Sequence, residues 1–172
     1  MTTRRSLLLA GALLLAGCKR QATETETAKE EVAVLASAFT MTDANAETQM
    51  THGFHAVENG RWRWVASKFG VTLALPAGAE RGAQLELKFA LPASVFDRLG
   101  PVTLKATADG KPLAPETFSA AGDYTYTKEL AAGTVGPGAV AIEFSTDKAI
   151  PPGEKDIREL ALIVTQVGLT AK

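Results

Sequence analysis

Residues 85–91 read Leu85-Glu86-Leu87-Lys88-Phe89-Ala90-Leu91. The large apolar side chains fall on every second position, with Glu86, Lys88 and Ala90 between them. Successive side chains of a strand point to opposite faces, so this stretch is a ribbon with one apolar and one polar side. The same period recurs in both directions. Val71, Leu73 and Leu75 alternate with Thr72 and Ala74, and Val102 and Leu104 alternate with Thr103 and Lys105. Tyr124 and Tyr126 alternate with Thr125 and Thr127, and Val140, Ile142 and Phe144 with Ala141, Glu143 and Ser145. Leu160, Leu162 and Val164 complete the series.

Turn clusters punctuate these runs: Pro76-Ala77-Gly78, Leu99-Gly100-Pro101, Gly122-Asp123, Gly136-Pro137-Gly138 and Pro151-Pro152-Gly153. Asp109-Gly110 is a hairpin signal, because a type I′ turn needs positive φ at both central residues. Short alternating strands between such turns predict an all-β fold, an antiparallel β-sandwich of jelly-roll or Ig-like type with about eight strands. No helical pattern of useful length interrupts them, and no repeat of about 20–50 residues is found. The sandwich is expected over residues 46–172.

The 172-residue chain contains one cysteine and a formal charge of −1, so a disulfide framework and a multi-thiolate metal site are both excluded. A pI near 6.1 gives no electrostatic drive toward nucleic acid. Hydrophobic residues make up 46% of the chain, enough for a core without a metal or disulfide staple.

The N-terminus has its own logic. Arg4-Arg5 precede a leucine-rich run, Leu7 to Leu15, and then Ala16-Gly17-Cys18. A positive n-region, a short apolar h-region and small residues are the parts of a secretory signal. Residues 6–17 fall short of the roughly 20 that a membrane-crossing helix needs. Leu15-Ala16-Gly17-Cys18 resembles the bacterial lipobox. That resemblance implies a lipoprotein signal peptide over residues 1–17, cleavage before Cys18, and acylation of the Cys18 thiol and of the new amino terminus. Two or three acyl chains, at about 0.8 kcal/mol per buried CH₂, would hold the protein at a membrane. Thr3-Arg4-Arg5-Ser6-Leu7-Leu8 also loosely resembles a twin-arginine export signal, which leaves the export route open. Lys19 stands where an Asp would favour inner-membrane retention, so the outer membrane is the expected address. Losing residues 1–17 removes Arg4 and Arg5 and no acid, taking the charge from −1 to −3.

Residues 18–45 are read as the lipidated cysteine, a tether and a first strand. Residues 19–30 contain no apolar residue but alanine, and so cannot offset their chain entropy by burial. Glu31 to Met41 carries both helix-forming residues and a β-branched run, and a first strand fits the rest of the chain better. Thr42-Asp43-Ala44-Asn45 is turn-like.

The stretch richest in chemistry is Gly53-Phe54-His55-Ala56-Val57-Glu58-Asn59-Gly60-Arg61-Trp62-Arg63-Trp64. Asn59-Gly60 predicts the tip of a hairpin. On the strand beyond it, Trp62 and Trp64 share one face, and Arg61 and Arg63 the other. Two readings are open. The tryptophans are core anchors with the arginines paired to acids, or they form a stacking platform for sugar rings with Glu58, Arg61 and Arg63 bonding hydroxyls.

Gly53-Phe54, Glu58 and Arg61-Trp62-Arg63-Trp64, with Asp156-Ile157-Arg158-Glu159-Leu160 near the end, resemble small β-sandwich domains appended to bacterial glycosyltransferases and methyltransferases. The resemblance implies an accessory, carbohydrate-binding-like sandwich without catalysis of its own. It further implies that first and last strands lie together, so that Glu58, Arg61 or Arg63 meets Asp156, Arg158 or Glu159 in a structural ion-pair cluster.

His52 and His55, three apart with no third ligand in view, do not indicate a metal site. No nucleophile elbow or phosphate-binding loop is present, and no cofactor is called for. The expectation is a non-catalytic, lipid-anchored cell-envelope protein that binds a glycan or another envelope component. The alternative is a structural subunit docking a partner envelope protein.

Overall fold

A computed structural model describes residues 34–172. The signal peptide, Cys18 and residues 19–30 of the tether lie outside the described residues. The chain forms β1 (Ala38–Thr40), α1 (Ala46–Gln49), β2 (Met50–Glu58), β3 (Trp62–Ala74) and β4 (Gly82–Leu91). It continues through α2 (Ala93–Leu99), β5 (Val102–Ala108), β6 (Lys111–Pro112) and β7 (Glu116–Phe118). It ends with β8 (Gly122–Ala131), β9 (Ala139–Thr146) and β10 (Leu162–Ala171). One antiparallel path runs β6-β5-β9-β3-β10-β4-β8, with β1 on β10, β2 on β3 and β7 on β5.

The path curls over on itself because β3 changes partners along its length. Arg63 to Val65 pair with β10, whereas Lys68 to Ala74 pair with β9. Two facing layers result. Side chains from strands that are not paired meet between them: Phe89 of β4 packs edge-on against Phe118 of β7 at 4.9 Å, and Tyr126 of β8 against Phe144 of β9 at 6.4 Å. Alternating residues of both layers fill this interior, as the period-two reading requires. Leu85, Leu87, Phe89 and Leu91 face inward with Val140, Ile142, Phe144, Val102 and Leu104.

The corner carries its own sequence signature. β2 follows β3 round the bend with register shifts between Met50, His52, Phe54 and Val57. Strands that switch layers bend at such bulges. Gly53 sits at φ +79°, and a Cβ there would collide with the Lys68 carbonyl and the Phe69 Cα. Glycine is the residue that admits both the dihedral and the approach. A further bulge between Val164 and Gln166 shifts the phase of β10. Leu162 and Val164 are buried before it, Val167 and Leu169 after it.

The sheet begins at Ala38, with Phe39 and Met41 already in the core. Gln49 stitches this first strand in place. Its Oε1 accepts from the Ala36 amide at 2.8 Å, and its Nε2 donates to the carbonyls of Ala36 at 2.9 Å and Thr72 at 3.0 Å. A buried amide side chain thus does the work of a strand rung.

Ten strands are present among the described residues where the periodicity predicts about eight. β6 and β7, of two and three residues, are too short to display an alternation. The seven-residue helix α2 also departs from the expectation of strands and turns alone. Val95, Phe96 and Leu99 pack on the core at helical spacing, and Gly100 at φ +71° ends the helix.

Candidate functional site

The Asn59-Gly60 turn forms as predicted, with φ of +50° and +60°, and directs β3 back against β2. Trp62 lies opposite Glu58 across this hairpin. Directly opposed residues share a face, so Glu58, Trp62 and Trp64 project to the same side.

Trp64 is half-buried. Part of its indole packs on the core, and the rest lines a concavity of about 430 Å³. One wall is α2, with Ser94 and Arg98. The other is the segment from Ile150 to Leu160, with Pro151, Gly153, Glu154, Lys155 and Asp156. The site therefore has an aromatic surface with two carboxylates, a hydroxyl and two cationic donors around it. A second groove, about 360 Å³, is lined by Leu75, Pro76, Ala79, Val135, Pro137 and neighbours. It has no aromatic ring, and its charged group is Glu80.

Both walls are held rigidly. Lys148 donates to the carbonyls of Leu99 at 2.9 Å and Pro101 at 2.7 Å, placing a cation where the C-terminal carbonyls of α2 need donors. The 150–160 segment is closed at its base by paired backbone bonds between Ile150 and Leu160, at 2.8 and 2.9 Å. Arg158 locks its middle. The guanidinium donates through Nε and Nη2 to the two Asp156 oxygens at 2.9 and 2.8 Å, and through Nη1 to Glu58 at 2.7 Å. His55 Nε2 donates to the Glu159 carbonyl at 2.8 Å. Hydrogen bonds from the Arg158 side chain and amide hold the Asp156 carboxyl down at about 2, and the Asp156 and Glu58 carboxylates in turn raise Arg158. Asp156 is thus a fixed carboxylate at neutral pH, able to accept hydrogen bonds and holding no proton to give.

The residues singled out from sequence separate into distinct roles. Trp64 and Asp156 line the concavity. Glu58 and Arg158 stand behind it as a clamp. Glu159 joins through its carbonyl, not its carboxylate, as an acceptor for His55. Trp62 is half-buried beside the clamp, with its Nε1 enclosed and unpartnered. Arg61 is exposed at the turn. Arg63 points to the other face, where it donates to the carbonyls of Met41 and His55 and pairs with Glu47 at 3.0 Å. The arginines therefore do not meet Asp156 or Glu159; of the residues around the hairpin it is Glu58 that reaches this segment, by pairing with Arg158 on the face they share. The contributions of Ser94, Arg98 and the 150–155 wall were not read from sequence. The Pro92-to-Gly100 stretch, with its apolar spacing of one, three and four, is the signal that would have placed the first two. Among the described residues, no group of three or more His, Cys, Asp or Glu is placed to hold a metal ion.

No protein family matches the chain, and no curated protein matches it. Among solved structures, a family 35 carbohydrate-binding module from Clostridium thermocellum aligns with a TM-score of 0.48 at 11% identity, over 80% of this chain and 100% of that one. The CBM36-1 domain of a multidomain xylanase from the hindgut metagenome of Trinervitermes trinervoides gives 0.41 at 11%, over 78% and 96%. A family GH115 4-O-methyl-alpha-glucuronidase gives 0.48 at 10%, covering 80% of this chain but 18% of that one. At such identities a chemical reading of the site comes from its own side chains.

Proposed function

We propose that this protein is a non-catalytic glycan-binding sandwich, held at a bacterial cell envelope through lipid on Cys18. The carrying observation is Trp64, which presents part of an indole to a walled concavity while the rest is fixed in the core. Carbon-bound hydrogens of a sugar ring stack on such a surface, and hydroxyls bond to surrounding donors and acceptors. Ser94, Arg98, Glu154, Lys155 and the fixed carboxylate of Asp156 supply both kinds.

The test is a titration of the full chain with a panel of envelope and plant polysaccharides, read by indole fluorescence. A Trp62→Phe variant leaves Trp64 as the reporter. The expected result is a saturable emission shift that survives Trp62→Phe and disappears in Trp64→Ala. An emission indifferent to every glycan in the folded protein sinks the reading. For the anchor, Cys18→Ala is expected to move the protein from the membrane fraction to the soluble one. Retention in the membrane would remove the lipid from the proposal.

A second reading, docking of a partner envelope protein, draws on Ile157. This side chain is 86% exposed at the middle of the clamped segment, between Asp156 and Arg158. A photo-crosslinker at position 157 that captures one specific envelope protein, with glycan titrations silent, would favour it.

A further inference from the structure

The long strands β3, β4, β8, β9 and β10 share two poles. The chain enters the sheet at one, and the Trp64 concavity opens at the other. β3 ends at Ala74, β8 at Ala131 and β10 at Ala171, where β4 starts at Gly82 and β9 at Ala139. Pairing sets these ends side by side: Ala74 faces Ala139, Gly82 faces Ala131, and Ala83 faces Ala171. The chain joins the sheet at this pole. The Ala36 carbonyl accepts from the Ala74 amide at 3.0 Å, and the Ser37 carbonyl from the Leu169 amide at 2.7 Å. At the far pole β4 passes from Leu91 into α2, and the 150–160 segment leads into β10 at Leu162. These are the two walls of the concavity. β4 spans ten residues, so at the usual rise of a strand the poles lie about 30 Å apart.

The entry pole has a chemistry of its own. The groove of Leu75, Pro76, Ala79, Val135 and Pro137 lies on it, and the Leu75 amide donates to the Gly138 carbonyl at 3.0 Å to join the groove's two sides. Val34, 81% exposed, stands where the chain enters. Apolar surface thus gathers at the pole from which the chain leads back to Cys18. We infer that this pole faces the lipid surface and that the concavity opens away from it, so that the ligand is a glycan polymer spaced from the membrane and not the sugar headgroup of a lipid in the same leaflet. The inference rests on the anchored, glycan-binding reading above. Its physical basis is the placing of the two attachment points. Residues 18–33 reach at most about 55 Å when fully extended. With the entry pole toward lipid, none of that reach is spent on passing the domain. To bring the concavity to the bilayer, the tether must run back along about 30 Å of sandwich, more than half its reach, at a cost in chain entropy. The groove and Val34 would then turn away from lipid into water, where apolar surface is least favourable. In the inferred orientation the sandwich is a spacer that joins a membrane to a glycan layer beyond it.

The experiment uses the acylated full-length product purified from membranes and reconstituted in vesicles that carry a dansyl-headgroup lipid as energy acceptor. In Trp62→Phe, Trp64 is the donor, and transfer to the lipid should be weak. Adding Val34→Trp to that variant places a second donor at the entry pole, on an exposed position that no packing depends on, and should raise transfer several-fold. A soluble polysaccharide that shifts Trp64 emission in the Cys18→Ala chain should bind the vesicle-held protein with the same affinity. Strong transfer from Trp64 with no rise on adding Val34→Trp overturns the proposal. So does an affinity for the soluble polysaccharide about tenfold weaker on vesicles than in the Cys18→Ala chain. Failure of the purified protein to float with the vesicles sinks the lipid anchor, and the orientation with it. Silence toward every polysaccharide in both forms sinks the glycan reading and the ligand inferred here, while the transfer measurement still decides which pole faces lipid.

Discussion

Arg158 reaches back one hundred residues in sequence to bond Glu58 at 2.7 Å, while the same guanidinium grips both oxygens of Asp156. This contact fastens the wall of the Trp64 concavity to the β2–β3 hairpin. A bidentate arginine fork has the geometry for such a task, which a lysine lacks. Both partners are about one-third exposed, so the clamp adds little to global stability but much to local order.

The first prediction follows from that difference. Arg158→Lys and Glu58→Gln should leave the fold intact, with small changes in Tm. Glycan affinity, where a ligand is found, should drop about tenfold, close to 1.4 kcal/mol, because the wall is no longer fixed before binding. Hydrogen exchange of residues 150–160 is the direct check: it should speed up in both variants and not elsewhere. Unaltered exchange would mean that the Ile150–Leu160 rung alone holds the segment.

Acid should act on the same contact. Asp156 has its pKa lowered from 3.8 to about 2. A carboxyl depressed in the folded state stabilises it fully above the unfolded value, and the benefit is lost as pH falls from about 4 through 2. Melting temperatures between pH 5 and 2 should therefore decline in the wild type, and decline less steeply in Asp156→Asn.

Alkali probes the core. Tyr126 is buried, donates to the Ala114 carbonyl at 3.2 Å, and titrates near 12 because burial and the nearby Glu116 disfavour the phenolate. A tyrosine raised above its unfolded value near 10 stabilises the fold below that pH, and the contribution is lost as pH climbs toward 12. Ultraviolet titration should show phenolate absorbance from Tyr126 appearing near pH 12. Tyr126→Phe should flatten the loss of stability over that interval.

The corner makes a sharper claim. Gly53→Ala combines a φ of +79° with a collision against the Lys68 carbonyl and the Phe69 Cα, and neither is a flexible side chain that can step aside. A loss of about 3 kcal/mol or more is expected in urea unfolding. Gly60→Ala, at φ +60° with open space around it, should cost only about 1–2 kcal/mol. Equal losses at the two positions would show that backbone strain, not the close approach, dominates at the bend.

Gln49 allows a test of the side-chain rung. Gln49→Leu keeps the bulk but leaves the half-buried Ala36 amide without its acceptor. The expected loss is about 1 kcal/mol, the net worth of a hydrogen bond whose donor keeps some access to water. Protection of β1 in hydrogen exchange should fall with it.

The sequence on its own determined the layer pattern. Period-two alternation at Leu85 to Leu91, Val140 to Phe144 and Leu162 to Val164 names the buried faces, because within a regular strand the parity of the side chains decides which of them share a face. The turns at Asn59-Gly60 and Asp109-Gly110 were legible for a similar reason, since positive φ is a local requirement. Tertiary structure decided what those local rules do not contain. β3 exchanges β10 for β9 along its length, a choice set by how a twisted sheet closes over its core. The change of phase in β10 follows from a bulge that its composition does not announce. The division of labour in Arg61-Trp62-Arg63-Trp64 is likewise tertiary. The order of residues shows which pairs share a face, but only the folded chain brings α2 and the 150–160 segment over Trp64 and leaves Arg63 to Glu47 and the backbone. Contacts spanning a hundred residues, such as Glu58 with Arg158, leave no periodicity in the chain, because they depend on where a strand end and a distant loop come to lie once the layers have closed.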